Sequence, residues 1–294
     1  EVHPKVGYFL PVRGTGDQGR LLLLGDATMA GLPGYAGPPF GAAIAKRNPR
    51  LLVENNSWGS LMAATMANPG GFKTSLGTFV LPRPRDHACD YACVLIGTSD
   101  AMAIAGSDAA SNLTFGSFMN NFGYVGIPML PVDWENCCRP SLKLYEQSLR
   151  SSVQELMAVG ARVAIVTPPP LGEELADAQS EERLVRHAPF RVVSELASAV
   201  RRVAASEGCD VLPLFECCIH RLREQEEKGR KLIPWGPQKF WNMRLKINAS
   251  QAWGHMPWED MEFPGFPRPV LHTELTKLNE SGLAIFAALL QSWL

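Results

Sequence analysis

The chain has 294 residues, of which 46% are hydrophobic and 19% charged, and its formal net charge is −1. That is enough chain to bury a substantial core in one large domain or two small ones. The nearly neutral balance gives no electrostatic footprint for nucleic acid or for an anionic membrane surface. No apolar run approaches the roughly 20 residues that span a bilayer, so a membrane-spanning segment is not expected.

The first half of the chain predicts three buried strands with two helices between them. The strands are apolar runs, continuous as in buried parallel strands, and the helices lie between turn-forming residues. In chain order these elements cover 21–25, 39–47, 51–55, 58–66 and 91–97. A long connection rich in Gly, Asn and Pro follows from 98 to about 139.

The second half predicts two long helices, two strands and a terminal helix. Both long helices carry an apolar stripe at helical spacing, and a glycine follows each of them. In chain order the elements cover 141–159, 162–167, 181–206, 210–215 and 280–294. Residues 229–270 are irregular and rich in Pro and Trp. We predict a single domain over 1–294, a three-layer α/β/α sandwich with a five-stranded parallel sheet of the flavodoxin-like type.

Four short motifs follow the predicted strands or precede the last helix. They read G-D-A at 25–27, N-N-S-W-G ending at Gly59, G-T-S-D at 97–100 and E-L-T-K at 274–277. In order, spacing and strand context they resemble the SGNH, or GDSL-type, hydrolase family of esterases and lipases. The resemblance spans nearly the whole chain, and it implies the strand order second–first–third–fourth–fifth.

The resemblance also implies roles for the motif positions. In that family a serine attacks an ester carbonyl, a histidine takes its proton, and an aspartate orients the histidine. The serine amide, a glycine amide and an asparagine side chain hold the oxyanion. This chain has Ala27, Lys277, Glu274 and Ser99 where the family has serine, histidine, aspartate and asparagine, and only Gly59 is retained. Loss of the nucleophile or the base costs on the order of a million-fold in turnover, so no catalytic residue is expected.

Other residues offer weak alternatives to the lost nucleophile and base. Thr28 points away from its neighbour on a tight turn, and Ser57 and Ser60 are expected to cap or line the adjoining helix. A serine–lysine dyad would need a lowered pKa at Lys277, which Glu274 opposes by stabilising the ammonium. We interpret Glu274 and Lys277 as an ion pair in the place of the family's Asp–His pair. His272 is interpreted as a surface or loop histidine.

The leading functional hypothesis is a catalytically inactive SGNH-like protein that serves as a structural or accessory subunit of a larger assembly. Its partners would be other proteins, and the tryptophans of 229–270 are a candidate contact region or else a cover of the core and cleft edge. One alternative is an active acyl or carbohydrate esterase that uses displaced residues. Another is a binding module whose vestigial cleft holds a ligand without cutting it.

The cysteines and sequons bear on cofactors and compartment. Two adjacent pairs and an odd total of seven fit buried free thiols better than a disulfide framework, and no C-x-x-C pair offers a zinc site. No cofactor and no metal are expected. Of the four N-x-S/T sequons, those at Asn55 and Asn279 fall on motifs where a glycan would obstruct folding. We therefore favour the mitochondrion, with the secretory pathway or another organelle as the alternative; whether residues precede Glu1 is left open.

Overall fold

The computed structural model describes 10–12, 15–30, 40–57, 61–67, 72–74, 77–79, 83–101, 104, 141–173, 189–230, 232, 270–272 and 278–294. Most of the connection after 98 and of the Pro- and Trp-rich segment therefore lies outside the described residues. So does the start of the helix predicted over 181–206.

A parallel sheet forms the centre of the molecule. Its strands are β2 (Arg20–Gly25), β3 (Leu52–Ser57), β6 (Tyr91–Leu95), β7 (Arg162–Val166) and β8 (Asp210–Leu212). They lie side by side in the order β3-β2-β6-β7-β8, which is the predicted order second–first–third–fourth–fifth. The predicted fold class, an α/β/α sandwich around a five-stranded parallel sheet, is confirmed.

Two small features were not predicted. A sixth strand, β1 (Leu10–Val12), pairs antiparallel with β3 at the edge of the sheet. Pro11 is tolerated there because an edge strand does not need every backbone N–H for pairing. A two-stranded antiparallel hairpin, β4 (Phe72–Thr74) with β5 (Gly77–Phe79), lies apart from the main sheet.

Helices follow the strands and cover both faces of the sheet. They are α1 (Ala27–Ala30), α2 (Phe40–Arg47), α3 (Ala63–Ala67), α4 (Leu142–Ala158), α5 (Pro189–Glu207), α6 (Leu214–Glu227) and α7 (Glu280–Trp293), and a short 3-10 helix covers Pro84–Asp86. On one face α2 packs against α7 through stacked rings of Phe40 and Phe286, whose centroids lie 4.5 Å apart. The other face carries α3, α4 and α5.

Two predicted boundaries were wrong in an informative way. The strand predicted over 210–215 ends at Leu212, and Leu214 and Phe215 are instead buried residues of α6. The strand predicted over 51–55 continues to Ser57 because its polar end, Asn55 to Ser57, is buried against the rest of the sheet.

Burial and hydrogen bonding determine the state of the thiols and the accessibility of two of the sequons. The five described cysteines, Cys89, Cys93, Cys209, Cys217 and Cys218, are free, and burial raises the pKa of each thiol. The amide nitrogen of buried Asn55 donates to the Met29 carbonyl and that of Asn279 donates to the Val270 carbonyl, so neither nitrogen is available to a glycan in the folded chain. Within the described residues, no helix is long and apolar enough to cross a membrane.

Candidate functional site

Asp26 organises the carboxyl edge of the sheet, where β2 and β6 end side by side. One carboxylate oxygen accepts from Thr28 N–H at 3.0 Å, and the other accepts from Gly97 N–H and Thr98 N–H at 3.1 and 2.8 Å. Burial raises the pKa of Asp26, although these backbone donors act against the rise. The carboxylate therefore ties the turn that leads into α1 to the turn that follows β6, and it fixes the backbone on both sides of position 27.

Two glycines permit these turns to approach so closely. A Cβ on Gly25 would lie 2.0 Å from the Leu95 carbonyl oxygen, so only glycine fits at the end of β2. Gly97 has a φ of +140°, and a Cβ there would meet Pro168 at 3.0 Å and the Tyr145 hydroxyl at 3.2 Å. The glycines of the G-D-A and G-T-S-D motifs are thus required by backbone packing, whatever the chemistry of the site.

Gly97→Ala is expected to lower the free energy of unfolding by about 1–3 kcal/mol, because the substitution adds backbone strain and crowds Pro168. Gly160→Ala is the matched control: Gly160 has a φ of +88° but has nothing within 4 Å of its missing Cβ. Urea unfolding of both variants measures the difference between them. Equal losses in the two variants would mean that the close packing at Gly97 costs nothing.

A second buried acid, Asp100, lies in the helical turn that follows Gly97. Both of its carboxylate oxygens receive the single N–H of Ala63, at 3.2 and 3.1 Å, at the start of α3. Burial, and to a lesser extent the nearby charge of Asp26, raise the pKa of Asp100 to about 7. Tyr145 of α4 lies beside both acids; its hydroxyl donates to the Ile96 carbonyl at 2.9 Å, and burial raises its pKa well above the ordinary value.

Two hydroxyl groups near position 27, those of Thr28 and Ser57, are buried. Thr28 is 3% exposed, and its Oγ1 lies 3.3 Å from Thr98 Oγ1. Ser57 is the last residue of β3 and donates to the Leu23 carbonyl at 3.4 Å, so the expectation that it caps or lines the adjoining helix was wrong. Ser99 is partly exposed in the turn after β6. Neither Thr28 nor Ser57 presents an attacking oxygen to solvent.

His87 belongs to a carboxylate–imidazole pair beside β3. Its Nδ1 lies 3.1 Å from Glu54 Oε1, and its Nε2 lies 2.9 Å from Asn56 Nδ2. A neutral ring with its proton on Nδ1 satisfies both neighbours, since the carboxylate accepts and the amide donates. The hydrogen bond from His87 lowers the pKa of Glu54, against the effect of burial.

His272 lies in a loop, one of the two places that the sequence suggested, but it is not at the surface. It is 2% exposed, and its Nδ1 lies 3.3 Å from Glu173 Oε1, while its Nε2 lies 2.8 Å from the Pro170 carbonyl oxygen. Its backbone forms an isolated antiparallel bridge with Leu278, just before α7. The reason for the error is distance along the sequence: Glu173 lies 99 residues before His272, in the loop that follows β7.

Two of the five predicted vestigial positions can be located. Ala27 begins α1 directly after Asp26, and Ser99 follows Thr98, whose N–H binds the Asp26 carboxylate, so the backbone at these two positions meets at one edge of the sheet. Gly59, Glu274 and Lys277 lie outside the described residues. The convergence of Ala27, Gly59, Ser99 and Lys277 in one cleft, and the Glu274–Lys277 ion pair, stay predictions.

Asp26 and Asp100 belong to the sequence motifs but were given no role, and Glu173 was not among the predicted site residues. All three acids lie shortly after a buried parallel strand, at the edge of the sheet where ligands bind in such folds. In the part of the chain that the structure describes, no three His, Cys, Asp or Glu side chains gather so as to hold a metal ion.

No family model matches the sequence, and no curated protein matches it either. Several solved structures are similar. An acetylxylan esterase from Geobacillus stearothermophilus is 13% identical over 83% of this chain and 97% of its own, with a TM-score of 0.46. A lipase/acylhydrolase from Enterococcus faecalis is 13% identical over 93% and 94%, with a TM-score of 0.46.

An α/β hydrolase enzyme from the metagenome of Lake Arreo in Spain is 16% identical over 81% of this chain and 95% of its own, with a TM-score of 0.43. Identities and TM-scores this low carry no argument about activity or substrate. The SGNH hydrolase-like fold is identified from this chain itself: the strand order β3-β2-β6-β7-β8, with G-D-A after β2 and G-T-S-D after β6.

Proposed function

We propose that this chain is a catalytically inactive SGNH hydrolase-like protein that serves as a structural or accessory subunit of a larger assembly. The observation that carries the proposal is the residue at position 27. The turn that presents a nucleophile in the resembled family is built here, with Asp26 held by three backbone N–H groups, but the next residue is alanine. An alanine has no atom that can attack a carbonyl carbon.

The surrounding side chains support the same proposal. Thr28, the hydroxyl next to Ala27, is buried against Thr98. His272 has a hydrogen-bond acceptor at each ring nitrogen, so its ring has no lone pair directed at a substrate. Replacing a lost triad requires a nucleophile and a base within hydrogen-bond reach of each other, and these residues do not supply such a pair.

A domain that has no catalytic residues can still act through the contacts that its surface makes. We propose other protein subunits as its partners and the mitochondrion as its compartment. The experiment is the size of the full-length chain under native conditions in its own cells, with the Ala27→Ser variant as a control that should migrate identically. The proposal is supported if the chain migrates within a large complex and if that complex disappears when the chain is depleted. Migration at the size of one free chain contradicts it.

One observation favours a second candidate, an active ester hydrolase that uses displaced residues. The Glu54 carboxylate at Nδ1 would orient the His87 ring as general-base catalysis requires, and Nε2, which faces the Asn56 amide, would have to be freed for a nucleophile. Hydrolysis of short nitrophenyl esters that is present in the unmodified chain and lost in His87→Gln would establish this candidate. The matched control is His220→Gln, since His220 is an exposed histidine of α6.

A further inference from the structure

A fully buried cluster joins the loop after β7 to the segment that leads into α7. The side chains of His272 and Glu173 are 0% and 1% exposed. Each Glu173 carboxylate oxygen accepts a backbone N–H, from Val270 at 2.8 Å and from Leu271 at 2.6 Å. The cluster thus holds three consecutive residues of one segment, Val270 to His272, against a single carboxylate that is distant in sequence.

The hydrogen-bond partners of His272 determine where its protons lie. Pro170 offers only a carbonyl oxygen to Nε2, so Nε2 must carry a proton to bind it. Glu173 already accepts two amide N–H groups, which favours its ionised form, and a carboxylate also needs a donor at Nδ1. Burial alone raises the pKa of Glu173, but His272 and the two amides outweigh it and lower the pKa. A ring protonated at both nitrogens satisfies every partner.

We propose that Glu173 and His272 form a buried carboxylate–imidazolium pair. This pair holds the segment before α7 against the loop after β7, and the contact depends on the ring protons. The pair is independent of any activity at position 27, so it stands whether or not the proposed function does. Removal of one ring proton leaves a lone pair facing either the Pro170 carbonyl or the Glu173 carboxylate. The contact between the two segments then loses a charge-assisted hydrogen bond at a fully buried site.

A thiol on α6 also faces the pair, since Cys218 lies near Glu173. Burial, with smaller contributions from the charges of Cys217 and Glu173, raises the pKa of that thiol to about 12, so Cys218 stays neutral. The backbone bridge to Leu278 and the bond from Asn279 N–H to the Leu271 carbonyl do not titrate.

The test uses the full unmodified chain and two measurements. The first is the one-bond N–H coupling of the His272 imidazole by ¹⁵N NMR near pH 6.5, where both ring nitrogens should carry a proton. The second is hydrogen exchange of the Val270 and Leu271 amides from about pH 6 to about pH 9, corrected for the intrinsic exchange rate. Protection of these two amides should fall at least about tenfold more than that of Val94 in β6 as the ring loses its proton, since Val94 reports only the change in global stability.

Two variants isolate the cause. His272→Gln carries both of its N–H donors on one nitrogen and cannot reach acceptors that lie at the two different ring nitrogens, so its Val270 and Leu271 amides should exchange fast at every pH, without the pH-dependent step. His220→Gln, the same substitution at an exposed histidine, should retain the step. A bare ring nitrogen in the folded chain near pH 6.5, or amide protection that is constant from about pH 6 to about pH 9, would overturn the proposal.

Discussion

The purified chain is expected to hydrolyse short nitrophenyl esters no faster than buffer does. Ala27 stands where the resembled family has its nucleophile, and Lys277 stands where it has its base. Loss of either group costs on the order of a million-fold in turnover. The measurement is the initial rate over a series of acyl lengths. Appreciable hydrolysis by the unmodified chain would contradict this expectation.

Restoring one residue is not expected to help, because the members of a triad contribute non-additively. Ala27→Ser supplies a hydroxyl with no base, and Lys277→His supplies a base with nothing to deprotonate. Measurable hydrolysis requires both changes, best joined by Glu274→Asp and Ser99→Asn. The control variant carries the three other substitutions but keeps Ala27, and it should be inactive. Activity of Ala27→Ser alone would show that another base already serves position 27.

The chain is expected to be more stable toward unfolding at pH 5 than at pH 8, in part because of Asp100. Its folded carboxyl holds a proton up to about pH 7, whereas the ordinary value is 3.8. The folded state therefore binds more protons between these values, and the free energy of unfolding falls as the pH rises through that window. The loss over the whole window is on the order of 4 kcal/mol and is complete above about pH 7, and roughly two thirds of it falls between pH 5 and pH 8.

Asp100→Asn should reduce this slope and should make the chain more stable than the unmodified chain at pH 8. The asparagine oxygen can still accept from Ala63 N–H, so the hydrogen bond remains while the buried charge is removed. Asp26, whose pKa burial also raises, leaves a residual slope of the same sign. Urea midpoints at several pH values measure the effect, with the exposed Asp17→Asn as the control of equal charge change. An unchanged slope in Asp100→Asn would show that Asp100 stays ionised in the folded chain.

The central sheet could be predicted because its signal is local. Four consecutive leucines before Gly25 are buried on both faces, as a central parallel strand requires, and the runs at 91–95 and 162–166 have the same character. The prediction was wrong where one apolar run continues from a strand into the following helix. Leu214 and Phe215 continue the hydrophobic run of β8, but Pro213 cannot donate a backbone N–H, and the chain turns there into α6.

The resemblance of the sequence motifs implied the strand order. The sequence by itself determined the chemical identity of position 27 and its place at the carboxyl edge of the sheet, because a motif that follows a buried parallel strand lies there. Only the tertiary structure decided the burial and the hydrogen-bond partners of the polar groups around position 27 and before α7. Asp26 receives backbone N–H groups from residues 71 and 72 positions away, and Glu173 meets His272 across 99 residues. Burial and hydrogen-bond partners control the protonation state of a carboxyl or an imidazole group. Contacts between residues so far apart in the chain leave no pattern in a single sequence.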